Sequence, residues 1–272
     1  MNIIDSRVRL RTKQLMKAWT THLNPVFKDY IEWYHMRDRL SVVPTAKLLE
    51  EAAEEGVEKM VVCGGNREDN EHILEISQEF RAVIPVGGVH LKDGIRAAVD
   101  EVTMLKDQGF AGVNLSPFMM KMDVNDRRLY PVYAQCERLE APIIVHSSMH
   151  YWRDAYLSHN ILFNFDEVAV DFPGLKLIMS HGGNGFGPTV LAVAQRHPNV
   201  YLEYSALNPR YMAPEFIHAT NTYLSKKCMF GTDYPLVEFG RGINMWKEAL
   251  RPEVHEDFFH NNVLRALYDP PQ

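Results

Sequence analysis

Cysteine is scarce: Cys63, Cys136 and Cys228 are the only three in 272 residues, and they lie far apart. An odd, dispersed set forms neither a disulfide framework nor a zinc-ribbon spacing. It excludes the small stapled secreted folds and leads us to expect a cytoplasmic protein. Long apolar runs are missing as well. No stretch approaches the ~20 residues needed to cross a bilayer, so no membrane association is expected. Charge of one sign is not in excess: 29 Lys and Arg against 35 Asp and Glu leave a net charge of -6, spread along the chain. Without a basic stripe, nucleic acid is not an expected partner. The opening segment reads as a charged strand rather than a signal peptide.

What is present is a regular alternation. Apolar, β-rich runs occur at "NIIDSRV", "KMVVCGG", "AVIPVGGV", "FAGVNLS", "APIIVHSS", "LKLIMSH", "NVYLEYS" and "CMFGTDYP". Most are continuously apolar, as parallel strands covered on both faces must be. Helical patterns lie between them. "TAKLLEEAAEEG" starts at Pro44–Thr45 and stops at Gly56, and "DGIRAAVDEVTMLKDQG" runs from Asp93 to Gly109. "DRRLYPVYAQCERLE" precedes the fifth strand and "GPTVLAVAQRHP" follows the sixth. With 46% hydrophobic residues the core is large enough for one sizeable domain. Eight strands alternating with helices predict a distorted (β/α)8 TIM barrel occupying residues 1–272. A doubly wound open sheet is the rival, but it usually opens with a Gly-rich turn after strand one. "DSRVRLRT" contains no glycine.

Two connections are long. Residues 10–43, after strand one, form an aromatic-rich helical insert with Trp19, Phe27, Tyr30, Trp33 and Tyr34. "MHYWRDAYLSHNILFN", after strand five, carries Tyr151, Trp152 and Tyr156. In a barrel both sit on the C-terminal face, where active sites form. The aromatics either pack the insert onto the barrel or a second subunit, or make a lid over an organic substrate.

The polar residues at strand ends carry the chemistry. Strand five ends in His146, strand six in His181, strand seven near Glu203 and strand eight in Asp233. One histidine at a strand end is commonly structural. Two histidines and an aspartate, each closing a different apolar strand, converge at the barrel mouth and read as a reaction centre. Asn114 and Ser116 alternate inward on strand four and are candidate substrate contacts, as is Trp152. On strand one, alternation puts Asp5, Arg7 and Arg9 on one face. Gly182 and Gly183 make either a tight turn or an anion-binding helix start. Lys121 is either a solvated loop lysine or a substrate contact. Met119, Met120 and Met122 fill core or line a pocket. The loop histidines His22, His35, His150 and His159 are candidate replacement ligands for any metal.

"VHSS", "SHGG" and "GTDYP", with "GFAGVNLSP" at strand four and "FFHNNVLRALY" in the last helix, resemble the amidohydrolase-related TIM-barrel family. The branch is that of aminocarboxymuconate-semialdehyde decarboxylase and related hydratases and hydrolases, and the likeness covers nearly the whole chain. The resemblance implies a metal site. An Asp-x-His-x-His motif on strand one supplies two ligands, the strand-five histidine (His146) and strand-eight aspartate (Asp233) complete it, and the strand-six histidine (His181) moves protons. Here the motif reads Asp5-Ser6-Arg7-Val8-Arg9, with arginine at both histidine positions. Arginine stays protonated and offers no lone pair. A guanidinium about 5 Å from a dication repels it by roughly 6 kcal/mol at an effective dielectric of 20. We therefore expect no metal cofactor; zinc or another divalent ion would be left with His146, Asp233 and His181 at most.

The expected protein is then a hydrolase acting on a small carboxylate-bearing lactone, ester or amide, with His181, Asp233 and His146 catalytic. Arg7 and Arg9 clamp the substrate carboxylate, pair with Asp233, Glu203 or Asp5, or divide the two tasks. The family also includes lactone hydrolases that work without metal, and its substrates imply a small organic acid as partner. A decarboxylase or other carbon–carbon lyase is the alternative, and an inactive barrel kept for binding is a third. The insert and the family both imply a homodimer.

Overall fold

The computed structural model describes residues 1–20, 25–33, 35–150 and 152–270. The apolar runs become eight parallel strands: β1 (Ile3–Val8), β2 (Val57–Cys63), β3 (Val83–Gly88), β4 (Gly112–Leu115), β5 (Ile143–His146), β6 (Leu177–Ser180), β7 (Val200–Glu203) and β8 (Cys228–Met229). They hydrogen-bond in sequence order, β1 through β8, as a TIM barrel requires. Three backbone bonds bring the ends of the sheet together. Ser6 N donates to Phe230 O (3.1 Å), Asp233 N to Arg7 O (2.9 Å) and Arg9 N to Tyr234 O (2.9 Å).

Strand alternation builds two cores. Ile4, Val61, Ile84, Ile144, Ile178 and Met229 form one cluster inside the barrel, closed at its base by Val263 and Leu267. Their chain neighbours Ile3, Met60, Val83, Ile143 and Leu177 belong to the cluster under the outer helices. Parallel strands buried on both sides need apolar residues at every position, which is why the runs look unpatterned. The outer ring includes α3 (Thr45–Glu54), α4 (Arg67–Glu79), α5 (Ile95–Asp107), α6 (Tyr130–Arg138), α7 (Phe163–Asp171), α8 (Thr189–Arg196), α9 (Pro214–Thr220) and α10 (Phe239–Ala249), with α11 (Asn262–Leu267) at the base. Among the described residues no helix is long and apolar enough to cross a membrane.

Three expectations need correction. The helix expected over 126–140 begins at Tyr130, because Asp126 Oδ1 accepts from the backbone N of Arg128 (2.9 Å) and its carboxylate from that guanidinium, which holds a turn. Strand six stops at Ser180, so His181 lies just beyond it. Strand eight spans two residues only, and Asp233 sits four residues past it. Beyond Met229, the backbone bonds to β1 instead of continuing a ladder with β7.

The insert folds into α1 (Lys13–Thr20) and α2 (Pro25–Trp33). Among its described residues, Met16, Ile31, Met36 and Leu40 cluster with Leu236. Trp33 and Tyr156 are 62% and 74% exposed, so neither packs the insert onto the barrel. His22, Tyr34 and Tyr151 lie outside the described residues, as do the side chains of Trp19, Phe27 and Tyr30. Arg153 pairs with Asp29 (3.2 Å), linking the long loop after β5 to α2.

Asn70 on α4 fixes the mouth end of β2 and β3. Its Oδ1 accepts from Gly88 N (2.7 Å), and its Nδ2 donates to Gly88 O (2.9 Å). Asn70→Ala leaves a buried donor and acceptor unpaired and should cost roughly 2–4 kcal/mol. Urea midpoints measure this, and an unchanged midpoint would assign the junction no such dependence.

Candidate active site

The site grows from the seam between β1 and the segment after β8. Between Asp5 and Val8 the pairing of β1 with β2 slips register. Simple alternation therefore fails here, and Asp5 does not share a face with the two arginines. Asp5 instead lies in the wall, where Oδ1 accepts from Arg7 N (3.1 Å) and Thr232 N (3.0 Å) and Oδ2 from Thr232 Oγ1 (2.6 Å). Arg7 and Arg9 converge on Asp233. Their Nε atoms lie 3.5 and 3.2 Å from the same oxygen, Oδ1. Arg7 is buried and also reaches Cys63 Sγ (3.8 Å), while Arg9 is 34% exposed. Burial alone would raise the Asp233 carboxyl, but Arg9, Arg7 and His181 hold it below the usual carboxylate range.

His181 and Asp233 both have positive φ, 61° and 50°. Left-handed backbone is strained for residues with a Cβ, and such strain gathers where side chains must be aimed. Gly182 continues the turn at φ 53°; a Cβ there would meet the Tyr204 ring at 2.6 Å. The His181 ring is thereby brought onto Ser205, with Nδ1 3.1 Å from the carbonyl O and 2.9 Å from Oγ. His146 projects from the end of β5, its ring centroid 5.0 Å from that of His181. Its Nε2 lies 3.3 Å from Ser148 Oγ. Burial lowers the pKa of both imidazoles, His146 strongly, and for His146 the neighbouring His181 and Arg7 push the same way. Both rings are therefore neutral at pH 7.

Phe118 completes the wall, tilted against His146 (centroids 4.5 Å) and stacked on His150 (4.2 Å). Glu203 is 1% exposed, and its Oε2 accepts from Ser205 Oγ (3.0 Å). It thus faces Ser205 in the wall of the barrel. Asn114 Nδ2 donates to Gly64 O (2.9 Å), which ties β4 to the end of β2. Ser116 precedes a short 3-10 turn, Pro117–Met120, and Trp152 is half-buried in the loop after β5. Of the loop histidines, His159 bonds Asp123 (2.7 Å), His35 is exposed and His150 packs on Phe118. Lys121 is exposed, in the left-handed region at φ 55°. Sequence reasoning missed Ser205, Thr232, Cys63 and Phe118. Ser205 was within reach, because it lies two residues beyond Glu203 on the same inward register.

A divalent ion does not fit this donor set. Two permanent cations occupy the near side of Asp233, and both imidazoles have other neighbours. Among the described residues no group of three or more His, Cys, Asp or Glu side chains could hold a metal. An ion here would displace Arg7 and Arg9 from their shared carboxylate and meet their repulsion.

The profile of the amidohydrolase family matches residues 21–267, nearly the whole barrel. This chain belongs to that family. As an amidohydrolase, it is 22% identical over 198 residues to the 2-amino-3-carboxymuconate-6-semialdehyde decarboxylase of Dictyostelium discoideum. That match covers 61% of this chain and 55% of the relative, so the chain spans about half the relative's length. An uncharacterized TIM-barrel protein from Bordetella bronchiseptica superposes with a TM-score of 0.85 at 25% identity, covering 99% of each chain. A probable 2-pyrone-4,6-dicarboxylic acid hydrolase from Acinetobacter baumannii, solved with citric acid bound, shares the fold. Its TM-score is 0.70 at 14% identity, covering 98% of this chain and 99% of that one. Family members include hydrolases and decarboxylases; this chain's place among amidohydrolases rests on the profile match, and its reaction on the site.

Asp5 gives the amidohydrolase site a pH signature. Burial pushes its carboxyl up to about 7, against the bonds from Thr232 and Arg7. The folded protein keeps this proton where the unfolded chain, near 3.8, has lost it. Its contribution to stability is therefore full below the unfolded value and is lost as pH rises through about 7. Asp5→Asn mimics the protonated form and should remove that slope, gaining on the order of a few kcal/mol over wild type at pH 8. Urea midpoints at pH 5 and pH 8 test it; a slope that survives the substitution belongs to another group.

Proposed function

We propose that this amidohydrolase hydrolyses a small carboxylate-bearing lactone, ester or amide without a divalent metal. The observation that carries the reading is the shared carboxylate: Arg7 and Arg9 both bind Asp233 Oδ1, with two neutral imidazoles beside them. Two guanidinium groups share one oxygen of Asp233, and the buried Glu203 carboxylate also acts on Arg7. Arg9, the more exposed of the two, takes the substrate carboxylate through its planar fork. Asp233 is held ionised with a depressed pKa, which makes it a weak base and suits it to positioning the arginines. His181 is the better base. It takes a proton from water as the water oxygen bonds to the scissile carbonyl carbon. The oxyanion that forms is stabilised by Arg7 and by His146. Collapse breaks the bond to the leaving oxygen or nitrogen, and His181 returns the proton to it. The Acinetobacter hydrolase, solved with citric acid bound, is in keeping with a carboxylate-bearing ligand.

A decarboxylase is the second reading, favoured by the name of the Dictyostelium relative. There the arginines would hold a neighbouring carboxylate while His181 protonates the carbanion.

Turnover should persist in millimolar chelator. His181→Gln should lower kcat by about 10²–10⁴ with KM little changed. Arg9→Met should raise KM by about tenfold or more, the worth of a charged hydrogen bond. The acid limb of kcat/KM should lie below pH 6.5, because burial depresses the base and activity rises as it deprotonates. On a panel of lactones, esters and aromatic acids, a pH-stat reads proton release for lactone or ester hydrolysis and proton uptake for decarboxylation, and gas analysis reads the carbon dioxide. Loss of activity in chelator, restored by zinc, would sink the metal-free mechanism. Ligand-induced thermal shifts with no turnover across the panel would leave a binding role only.

A further inference from the structure

His181 is the proposed proton carrier, and Ser205 lies behind its ring. Its Nδ1 faces a carbonyl oxygen and a hydroxyl, both of Ser205, at 3.1 and 2.9 Å. A carbonyl oxygen only accepts, so Nδ1 carries the hydrogen. The Ser205 hydroxyl then accepts from the same N–H, and its own hydrogen is directed to Glu203 Oε2 at 3.0 Å. Glu203 Oε1 in turn accepts from the backbone N of Ser205, so both carboxylate oxygens are fixed by one residue. Every link in this chain has a donor and an acceptor.

The fold makes room for it. A Cβ on Gly231 would meet Glu203 Oε1 at 2.6 Å and Ser6 Oγ at 2.7 Å. The glycine of "FGTDYP" therefore admits the carboxylate. The buried Glu203 carboxylate is bonded directly by Ser205 and lies within electrostatic reach of Arg7 and His181.

We propose that Glu203 and Ser205 are positioning residues, a relay that fixes His181 as the Nδ1–H tautomer and so leaves Nε2 as the basic nitrogen. The catalytic consequence rests on His181 being the base of the proposed hydrolysis. The tautomer itself does not, because it follows from the hydrogen-bond directions alone. The logic is that of an orienting carboxylate behind a catalytic histidine, with a serine hydroxyl interposed.

Long-range proton–nitrogen correlation spectra of the imidazoles test this in the whole protein without substrate, His181 being assigned by its disappearance in His181→Gln. The wild-type ring should show the Nδ1–H pattern; an Nε2–H pattern overturns the relay whatever the reaction. Ser205→Ala removes one of the two acceptors opposite Nδ1 and keeps the carbonyl, so Nδ1–H should remain the major form with a larger Nε2–H fraction than wild type, and kcat should fall by about tenfold or more with KM within about twofold. Glu203→Gln presents an amide donor to the hydroxyl, frees the serine hydrogen to point at Nδ1, and should shift the ring toward Nε2–H. If neither variant alters the tautomer, the serine and the carboxylate merely pack. If the wild type shows Nδ1–H but hydrolyses nothing, the relay stands and the hydrolase reading falls.

Discussion

One carboxylate holds two guanidinium groups at the seam of the barrel, and much else follows from that. Arg7 is buried, and a buried guanidinium must be paired or the fold loses several kcal/mol. Asp233 is the partner it shares with Arg9. The same segment closes the sheet: Asp233 N donates to Arg7 O, Arg9 N to Tyr234 O, and Asp5 holds Thr232. Ion cluster and closure are thus one network. Moving Asp233 to serve another ligand would open the seam, which explains why its backbone tolerates a left-handed φ of 50°.

The electrostatic consequences reach the histidines. Neutral imidazole is favoured beside a guanidinium and disfavoured beside a carboxylate. His146 feels burial, His181 and Arg7 in the same direction. His181 is more balanced, because Asp233 and Glu203 oppose burial and Arg7. Two chemically alike side chains 5.0 Å apart are thereby differentiated. His146 is firmly neutral and suited to donating a hydrogen bond, while His181 keeps more capacity to accept a proton and give it back.

The barrel was legible because parallel strands must be apolar throughout, and because a histidine or aspartate that ends such a run stands out. His146 and Glu203 close their strands, as the runs of apolar residues indicated. Alternation failed at Asp5, where a register slip against β2 turned its carboxylate into the wall. The extent of strand eight was misplaced for another reason: after Met229 the chain pairs with β1, a partner 220 and more residues away that no local pattern announces. The helix start at Tyr130 was misjudged because Asp126 bonds its own backbone two residues on. Ser205 was overlooked for a different reason: serine is common, and it gains meaning only once Glu203 and His181 are seen on either side of it.

The substitution on strand one changes which chemistry the pocket supports. A bound divalent metal lowers the pKa of water from about 15.7 to about 7 and so makes its own nucleophile. A guanidinium cannot do this. Its charge is spread over a plane, it has no vacant orbital, and it acts by hydrogen bonds to charge that has already formed. A site built on arginine therefore needs a separate base, and it favours substrates whose carbonyl is already strained or conjugated. It also gains something a metal lacks, a planar fork matched to carboxylates. In the proposed hydrolysis, His181 with its proton on the far nitrogen would be that base. Arginines in the wall and a relay behind His181 are therefore two halves of one requirement.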